Sequence, residues 1–278
     1  MVRQIVQLAC ALAMNANLSG FVTGKIWQGQ SKRLCVPGLN CYSCPAAVGA
    51  CPLGSLQLAL ASGGVTALAY VCGILLLVGA ILGRAVCGFM CPFGLIQDLI
   101  NAPFRKIINA NSHRRFWKPV KNMNYIVLFL FVCLFPLAAY ASTGLGSPAF
   151  CKYICPAGTL QAGIPLVLLN DQLHDAVGML FNWKIFILAC MLIACTFIRR
   201  PFCRICPLGA IYGLFNKISV VGMAVDGSRC TRCGICTSGC PMQTECYAKA
   251  CIRCGQCAKD CPTKAVKYTV LGKTYKNC

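Results

Sequence analysis

Apolar residues run almost unbroken through four stretches, Ile5–Gly24, Val65–Gly83, Asn122–Ala141 and Gly178–Ile198. Each approaches the roughly 20 residues that a helix needs to cross the hydrocarbon core, so the pattern predicts four membrane-spanning helices. The first is interrupted by Gln7, Asn15 and Asn17, which must face protein if the segment spans. Nothing resembling a small-residue cleavage site follows it, and it reads as an anchor rather than a removed signal peptide. The fourth carries Trp183 and Lys184 near its outer end, where a long cationic side chain can reach the headgroups. From about residue 223 onward the pattern changes, and the chain becomes polar and basic.

Composition agrees with a membrane protein: 58% of the 278 residues are hydrophobic and only 12% charged. An ordinary soluble domain has about a quarter of its residues charged. With 26 Lys and Arg against 6 acids, the formal charge of +20 would suggest a nucleic-acid partner in a soluble protein. The spans argue against that, and no nucleic-acid partner is expected. If many of the 25 cysteines are thiolates on iron, part of the basic excess is their counter-charge.

Lys and Arg are unevenly distributed: seven lie between Arg84 and Lys121 and thirteen from Arg199 to the end, but three between Lys25 and Gly64 and one, Lys152, between Ser142 and Val177. The positive-inside rule then predicts a multi-pass protein of a prokaryotic cytoplasmic membrane. Both termini and the Cys87–Lys121 loop are expected in the cytoplasm. The loops holding Cys35–Cys51 and Cys151–Cys155 are expected on the outer face.

A repeat follows the apolar segments: Cys51-Pro-Leu-Gly-Ser-Leu-Gln57, Cys91-Pro-Phe-Gly-Leu-Ile-Gln97, Cys155-Pro-Ala-Gly-Thr-Leu-Gln161 and Cys206-Pro-Leu-Gly-Ala-Ile-Tyr212. The second and fourth share the wider context Arg84-x-x-Cys87-x3-Cys91-Pro and Arg200-x-x-Cys203-x2-Cys206-Pro. The membrane part, residues 1–222, thus reads as a duplication of about 1–110 and 120–220. Two cysteines per motif cannot complete a four-thiolate shell, whereas two motifs related by a pseudo-two-fold axis can, so Cys87, Cys91, Cys203 and Cys206 are assigned to one [4Fe-4S] cluster at the cytoplasmic face. The proline after each motif's last cysteine suits the first turn of a helix, whose positive end would face an anionic cluster. The alternative is four buried structural thiols.

The outer loops offer six candidates, Cys35, Cys41, Cys44, Cys51, Cys151 and Cys155. Motif alignment pairs Cys51 with Cys155, and Cys44 or Cys41 with Cys151, in a second membrane cluster. A rival is that the first loop closes a cluster alone, leaving the other pair for an incomplete site or a disulfide. Cys10, Cys72, Cys133, Cys190 and Cys195 lie inside spans. They read as small buried hydrophobes, with a mid-membrane centre on Cys72, Cys133, Cys190 and Cys195 as the alternative. Faces about 30 Å apart are too distant for one efficient electron hop, so either such a bridge exists or the clusters are sunk inward.

The strongest motif is Cys230-x2-Cys233-x2-Cys236-x3-Cys240-Pro241 followed by Cys251-x2-Cys254-x2-Cys257-x3-Cys261-Pro262. Zinc sites need two pairs of cysteines, not two runs of four each ending in proline. The runs resemble the bacterial two-cluster ferredoxin module. That resemblance implies one [4Fe-4S] cluster on Cys230, Cys233, Cys236 and Cys261 and another on Cys251, Cys254, Cys257 and Cys240. Residues 223–278 are accordingly read as a small α+β ferredoxin domain, with Cys246 and Cys278 as free thiols. The fold expected for the whole is an all-α, four-helix transmembrane bundle with internal duplication, carrying this domain.

With these motifs after alternate spans, the chain resembles the polyferredoxin-like membrane proteins of the NapH, NosR and CcoG types, over essentially its whole length. The resemblance implies a membrane electron carrier with about four [4Fe-4S] clusters, feeding an outer redox partner as a subunit of a larger, anaerobic oxidoreductase complex. The Cys-rich outer loops depart from the simple quinol-oxidising version and favour an electron path toward the outer surface. A quinone/quinol oxidoreductase subunit, and a redox sensor or assembly factor, are the alternatives. Haem is not expected, because the only histidines, His113 and His174, lie outside the spans. No Gly-rich dinucleotide fingerprint, nucleophile triad or carboxylate pair appears, so no bond-making chemistry is expected of the chain itself.

Overall fold

The computed structural model describes residues 2–104 and 122–270. Cys278, His113 and most of the basic Arg84–Lys121 loop fall outside these ranges. Among the described residues three helices are long and apolar enough to cross a membrane, Val65–Leu82, Met123–Thr143 and Met179–Phe197. The chain is a mostly helical membrane protein with one small sheet.

The first expected span, Ile5–Gly24, is not a continuous helix. The first helix, Val2–Met14, has 13 residues and covers about 20 Å at 1.5 Å per residue. It stops because a neighbouring loop takes over its last carbonyls: Val48 N–H and the Asn40 amide both donate to Met14 O, at 3.1 and 3.3 Å. Asn15 turns its amide back onto Ala11 O, and Asn17 bonds Ala46 and Pro45 instead of continuing the helix. After this break a short helix, Gly20–Thr23, resumes, and Gly24 O meets Asn170 Nδ2. Asn15 and Asn17 therefore mark the break, and other parts of the protein take up the freed groups, while Gln7 stays within the helix.

Each repeat motif starts a helix: Pro52–Ser62, Pro92–Asn101, Pro156–Leu169 and Pro207–Phe215. In every case the cysteine is the N-cap and the proline the first helical residue, where its missing N–H costs nothing. The second half carries widened π-helical turns at Leu128–Leu134 and Thr159–Gly163, just ahead of Pro136 and Pro165, which cannot donate to the helical ladder.

Pro52–Ser62 and Val65–Leu82 are joined by the left-handed Gly63 (φ 65°) and pack against each other as a hairpin. The 11 residues of the first helix rise about 16 Å and the 18 of the second return about 27 Å, so Cys51 and Cys87 differ by roughly 10 Å along the helix axes. The Cys41–Cys51 loop thus dips between the helices instead of lying beyond their ends. One continuous apolar core, including Leu39, Leu53, Phe93, Phe150, Phe202, Leu208 and Tyr212, surrounds cysteines of both the Cys87 and the Cys51 motifs.

The C-terminal part is tied together by strands β1 (Val221–Val225) and β2 (Val266–Val270), which pair antiparallel with Val221 opposite Val270. Its two cysteine runs repeat each other in backbone shape. Arg232 and Arg253, Gly234 and Gly255, and Gln243 and Lys264 all adopt positive φ at matching positions.

Candidate iron–sulfur sites

Cys87, Cys91, Cys203 and Cys206 line one small cavity with Leu39, Gln97 and Phe202. The fourth residue of the repeat turns its N–H to the N-cap sulfur, and a side chain there would crowd the Arg84 guanidinium at Gly209 and the Cys87 carbonyl at Gly94. Gly94 N–H donates to Cys91 Sγ and Gly158 N–H to Cys155 Sγ, each at 3.4 Å. A Cβ on Gly158 would stand 3.5 Å from Cys41 Sγ, and one on Gly209 would stand 2.9 Å from the Arg84 guanidinium.

The pseudo-two-fold relation appears as swapped contacts. Arg84 of the first half donates to Cys203 O at 2.5 Å, and Arg200 of the second donates to Cys87 O at 2.9 Å. Both arginines are buried. Arg200 is held by a bidentate pair with Asp98 at 3.0 and 2.6 Å, while Arg84 Nε has no partner. Gln7, fully buried, has neither amide atom paired, and it lies near Gly94, where a Cβ would be 3.6 Å from its Nε2. A surplus of buried donors around four thiols is the environment an anionic cluster requires.

The repeat glutamines, quoted in the sequence pattern without a role, prove to cross between halves. Gln57 accepts from Phe150 N–H at 2.9 Å and donates to Cys151 Sγ at 3.2 Å. Gln97 does the same for Phe202 N–H and Cys203 Sγ, at 3.0 and 3.6 Å. Gln161 accepts from Cys41 N–H at 2.8 Å. Their identical register in the repeat was the available signal; the partners, about a hundred residues away, were not.

The second quartet is Cys41, Cys51, Cys151 and Cys155, which face one another and share a larger, mainly apolar cavity with Lys184. Cys44 turns away to Asn15 Oδ1, at 3.7 Å, and faces Lys32, while Cys35 lines the same cavity beside Ser55 and the main core. Burial pushes Cys51 up to about 11 and Cys87 and Cys155 up to about 12. Thiolates here need a metal to persist. Among the described residues no three His, Cys, Asp or Glu converge at the spacing of a single metal ion.

In the C-terminal part Cys240 faces Cys254 and Cys251, and Cys257 faces Cys251 and Cys254. Cys236 and Cys261 pack on the same small core and Cys233 is exposed, whereas Cys230, at the edge of that core, is disulfide-bonded and not presented as the free thiol that the ferredoxin resemblance implies. Cys246 is buried between Cys236 and Cys257. The span cysteines do not gather into a centre: Cys72 lies near Cys133, Cys195 near Cys203, and Cys190 is exposed.

The ferredoxin-like part is seated directly on the Cys87 quartet. Cys203, Met242 and Ile252 form one buried cluster with Cys87, Cys240 and Cys254 at its edge. Asn216 accepts from Arg84 N–H and donates to Cys251 O, at 2.9 and 2.8 Å. Arg253 donates to Leu82, Asn216 and Val221 carbonyls. At Gly88 an added Cβ would collide with Ile252 O. Gly88→Ala is therefore expected to cost about 1–3 kcal/mol of overpacking and to lift this part off the membrane helices, read as accelerated hydrogen exchange at 249–254 with the strands unaffected.

The 4Fe-4S binding domain matches residues 64–111, 125–168 and 180–222, which contain three of the four repeat motifs. An uncharacterized protein of Methanocaldococcus jannaschii is 28% identical over 72% of this chain and 76% of its own length. The putative electron transport protein YccM of Escherichia coli K12 is 24% identical over 60% of this chain and 43% of its own. The ferredoxin-type protein NapH of the same organism is 28% identical over 68% and 59%. The chain is similar to ferredoxin-type, polyferredoxin-like electron-transport proteins, although it spans only about half the length of some relatives. No solved structure matches it.

Proposed function

We propose that the chain is an iron–sulfur conduit of a prokaryotic cytoplasmic membrane, carrying electrons from a cytoplasmic donor through quartets within the membrane toward its outer face. Residues 1–222 are the membrane domain, a bundle of four crossings whose first is the broken segment at Val2–Met14 and Gly20–Thr23. Residues 223–278 are the cytoplasmic ferredoxin domain. Four [4Fe-4S] clusters are held by Cys230, Cys233, Cys236 and Cys261; by Cys240, Cys251, Cys254 and Cys257; by Cys87, Cys91, Cys203 and Cys206; and by Cys41, Cys51, Cys151 and Cys155.

The observation that carries this reading is the line of contacts. Cys240 and Cys254 pack beside Cys87 and Cys203 through Ile252, and Leu39 forms a wall common to the Cys87 and Cys41 cavities. When bound, the clusters supply one-electron transfer without bond-making. The chain excludes water, aims backbone N–H groups at sulfur and keeps the quartets adjacent. A soluble redox partner would dock where Cys233 is exposed, beside Arg229 and Arg232. Anaerobically purified protein should contain about sixteen irons and as many acid-labile sulfides, from four thiolates per four-iron cluster, with no haem absorption. A total of about eight would leave only the ferredoxin domain and defeat the membrane-cluster assignment.

The mainly apolar cavity beside the Cys41 quartet, reaching Tyr70, Leu166 and Lys184, favours a second reading in which a lipid-soluble quinone exchanges electrons there. Reduction of the clusters by a short-chain quinol, without a soluble donor, would support it.

A further inference from the structure

Tyr212 holds, in the fourth copy of the repeat, the position that Gln57, Gln97 and Gln161 hold in the other three. The glutamines support the facing cysteine loop, and Tyr212 does not. Its side chain is 0% exposed and its hydroxyl donates to Pro37 O at 2.9 Å. It packs in the one buried core that also holds Cys91 and Cys206 of the first membrane quartet and Cys51 and Cys155 of the second, and Cys87, Cys51, Cys35 and Cys206 act electrostatically on its hydroxyl. Pro37 leads into the turn that separates the two cavities. A Cβ on Gly38 would stand 3.0 Å from Met90 O and 3.5 Å from Cys91 Cα, and Leu39 lines both cavities. The fourth copy has therefore exchanged a cysteine-loop-supporting amide for a polarizable ring in the core common to both quartets, tied through Pro37 to the turn whose Leu39 lines both cavities.

We propose that Tyr212 is the bridge through which an electron passes between the Cys87 and Cys41 quartets, and that its hydroxyl sets the width of the gap by holding Pro37. The inference rests on the reading that both quartets carry clusters. One electron leaves the first cluster and one arrives at the second. The ring undergoes no net oxidation, no bond forms or breaks, and the hydroxyl keeps its proton on the Pro37 carbonyl. The competing role is plain core filling, which a large buried side chain also performs.

The test uses the full chain in lipid nanodiscs with its clusters in place. Tyr212→Phe keeps the ring and loses only the hydrogen bond. Tyr212→Leu keeps an apolar filler, and Tyr212→Gln restores the residue of the other three copies. Three quantities are read: iron content, the magnetic interaction between the two reduced membrane clusters, which reports their separation, and the rate at which an electron delivered by flash reduction reaches the Cys41 quartet. With iron retained, Tyr212→Phe should transfer within about threefold of the native rate, and Tyr212→Leu and Tyr212→Gln at least about tenfold slower with the magnetic interaction unchanged. Native rates in both non-aromatic variants overturn the proposal. So does loss of iron from both, which makes Tyr212 a packing residue. Absence of membrane-cluster iron from the native chain defeats the underlying reading instead, and is seen before any variant is made.

Discussion

Cys91→Ala removes about four irons, Cys206→Ala removes the same four, and the double variant loses no more than either alone, because a cluster short of one thiolate is lost as a unit. Cys91 and Cys206 come from opposite halves of the duplication, yet line one cavity with Cys87 and Cys203. The eight cysteines of the ferredoxin-like part lie in other loops, so its visible spectrum and its reduction by a soluble reductant should persist in all three variants. Iron assay and low-temperature electron paramagnetic resonance on the same samples check both statements. Unequal, additive losses would mean that the two motifs serve separate centres.

A comparable effect without touching a cysteine is expected at Asp98. This buried carboxylate receives two hydrogen bonds from Arg200 and an ion pair from Arg3 at 2.7 Å, with Arg199 at 3.5 Å. Burial alone would raise its pKa, but the charge and hydrogen bonds of Arg200, aided by Arg3 and Arg199, hold it below the ordinary carboxylate value. A carboxyl whose pKa is depressed on folding contributes stability above its unfolded value of about 3.9, and loses that contribution as pH falls through the folded value. Asp98→Asn leaves Arg200 buried without a counter-charge and is expected to cost about 3–5 kcal/mol. Thermal unfolding measured from pH 7 down to pH 3 should show the native chain losing stability below about pH 4. The variant should start lower and change little across that interval.

Much of the site was legible because the repeat encodes it. Cys-Pro-x-Gly in register puts an N-cap thiol, a helix start and a sulfur-facing N–H in fixed relation, and both Cys87–Cys206 pairing and the three long apolar helices follow from local pattern. What escaped depends on chain paths that periodicity cannot express. Cys41 and Cys44 are equivalent by spacing, and the choice of Cys41 comes from Gln161, 120 residues on, which accepts its N–H. The break after Met14 required knowing that Asn40 and Val48 return to its carbonyl. The Lys and Arg count assigns the Cys35–Cys51 loop to a side of the membrane, but it carries no sign of the close approach of Gly38 to Met90 and Cys91, which only the folded chain brings together.

The exchanged arginines bear on the order in which the molecule is made. Synthesis delivers Arg84, Cys87 and Cys91 to the membrane more than a hundred residues before Cys203 and Cys206. Until the second half arrives, Arg84 has no Cys203 carbonyl to bond and the first two thiols have no second pair. On the proposed assignment this quartet can take up iron only after the second half is made, and a ribosome stalled between the halves leaves a membrane-inserted intermediate with bare thiols.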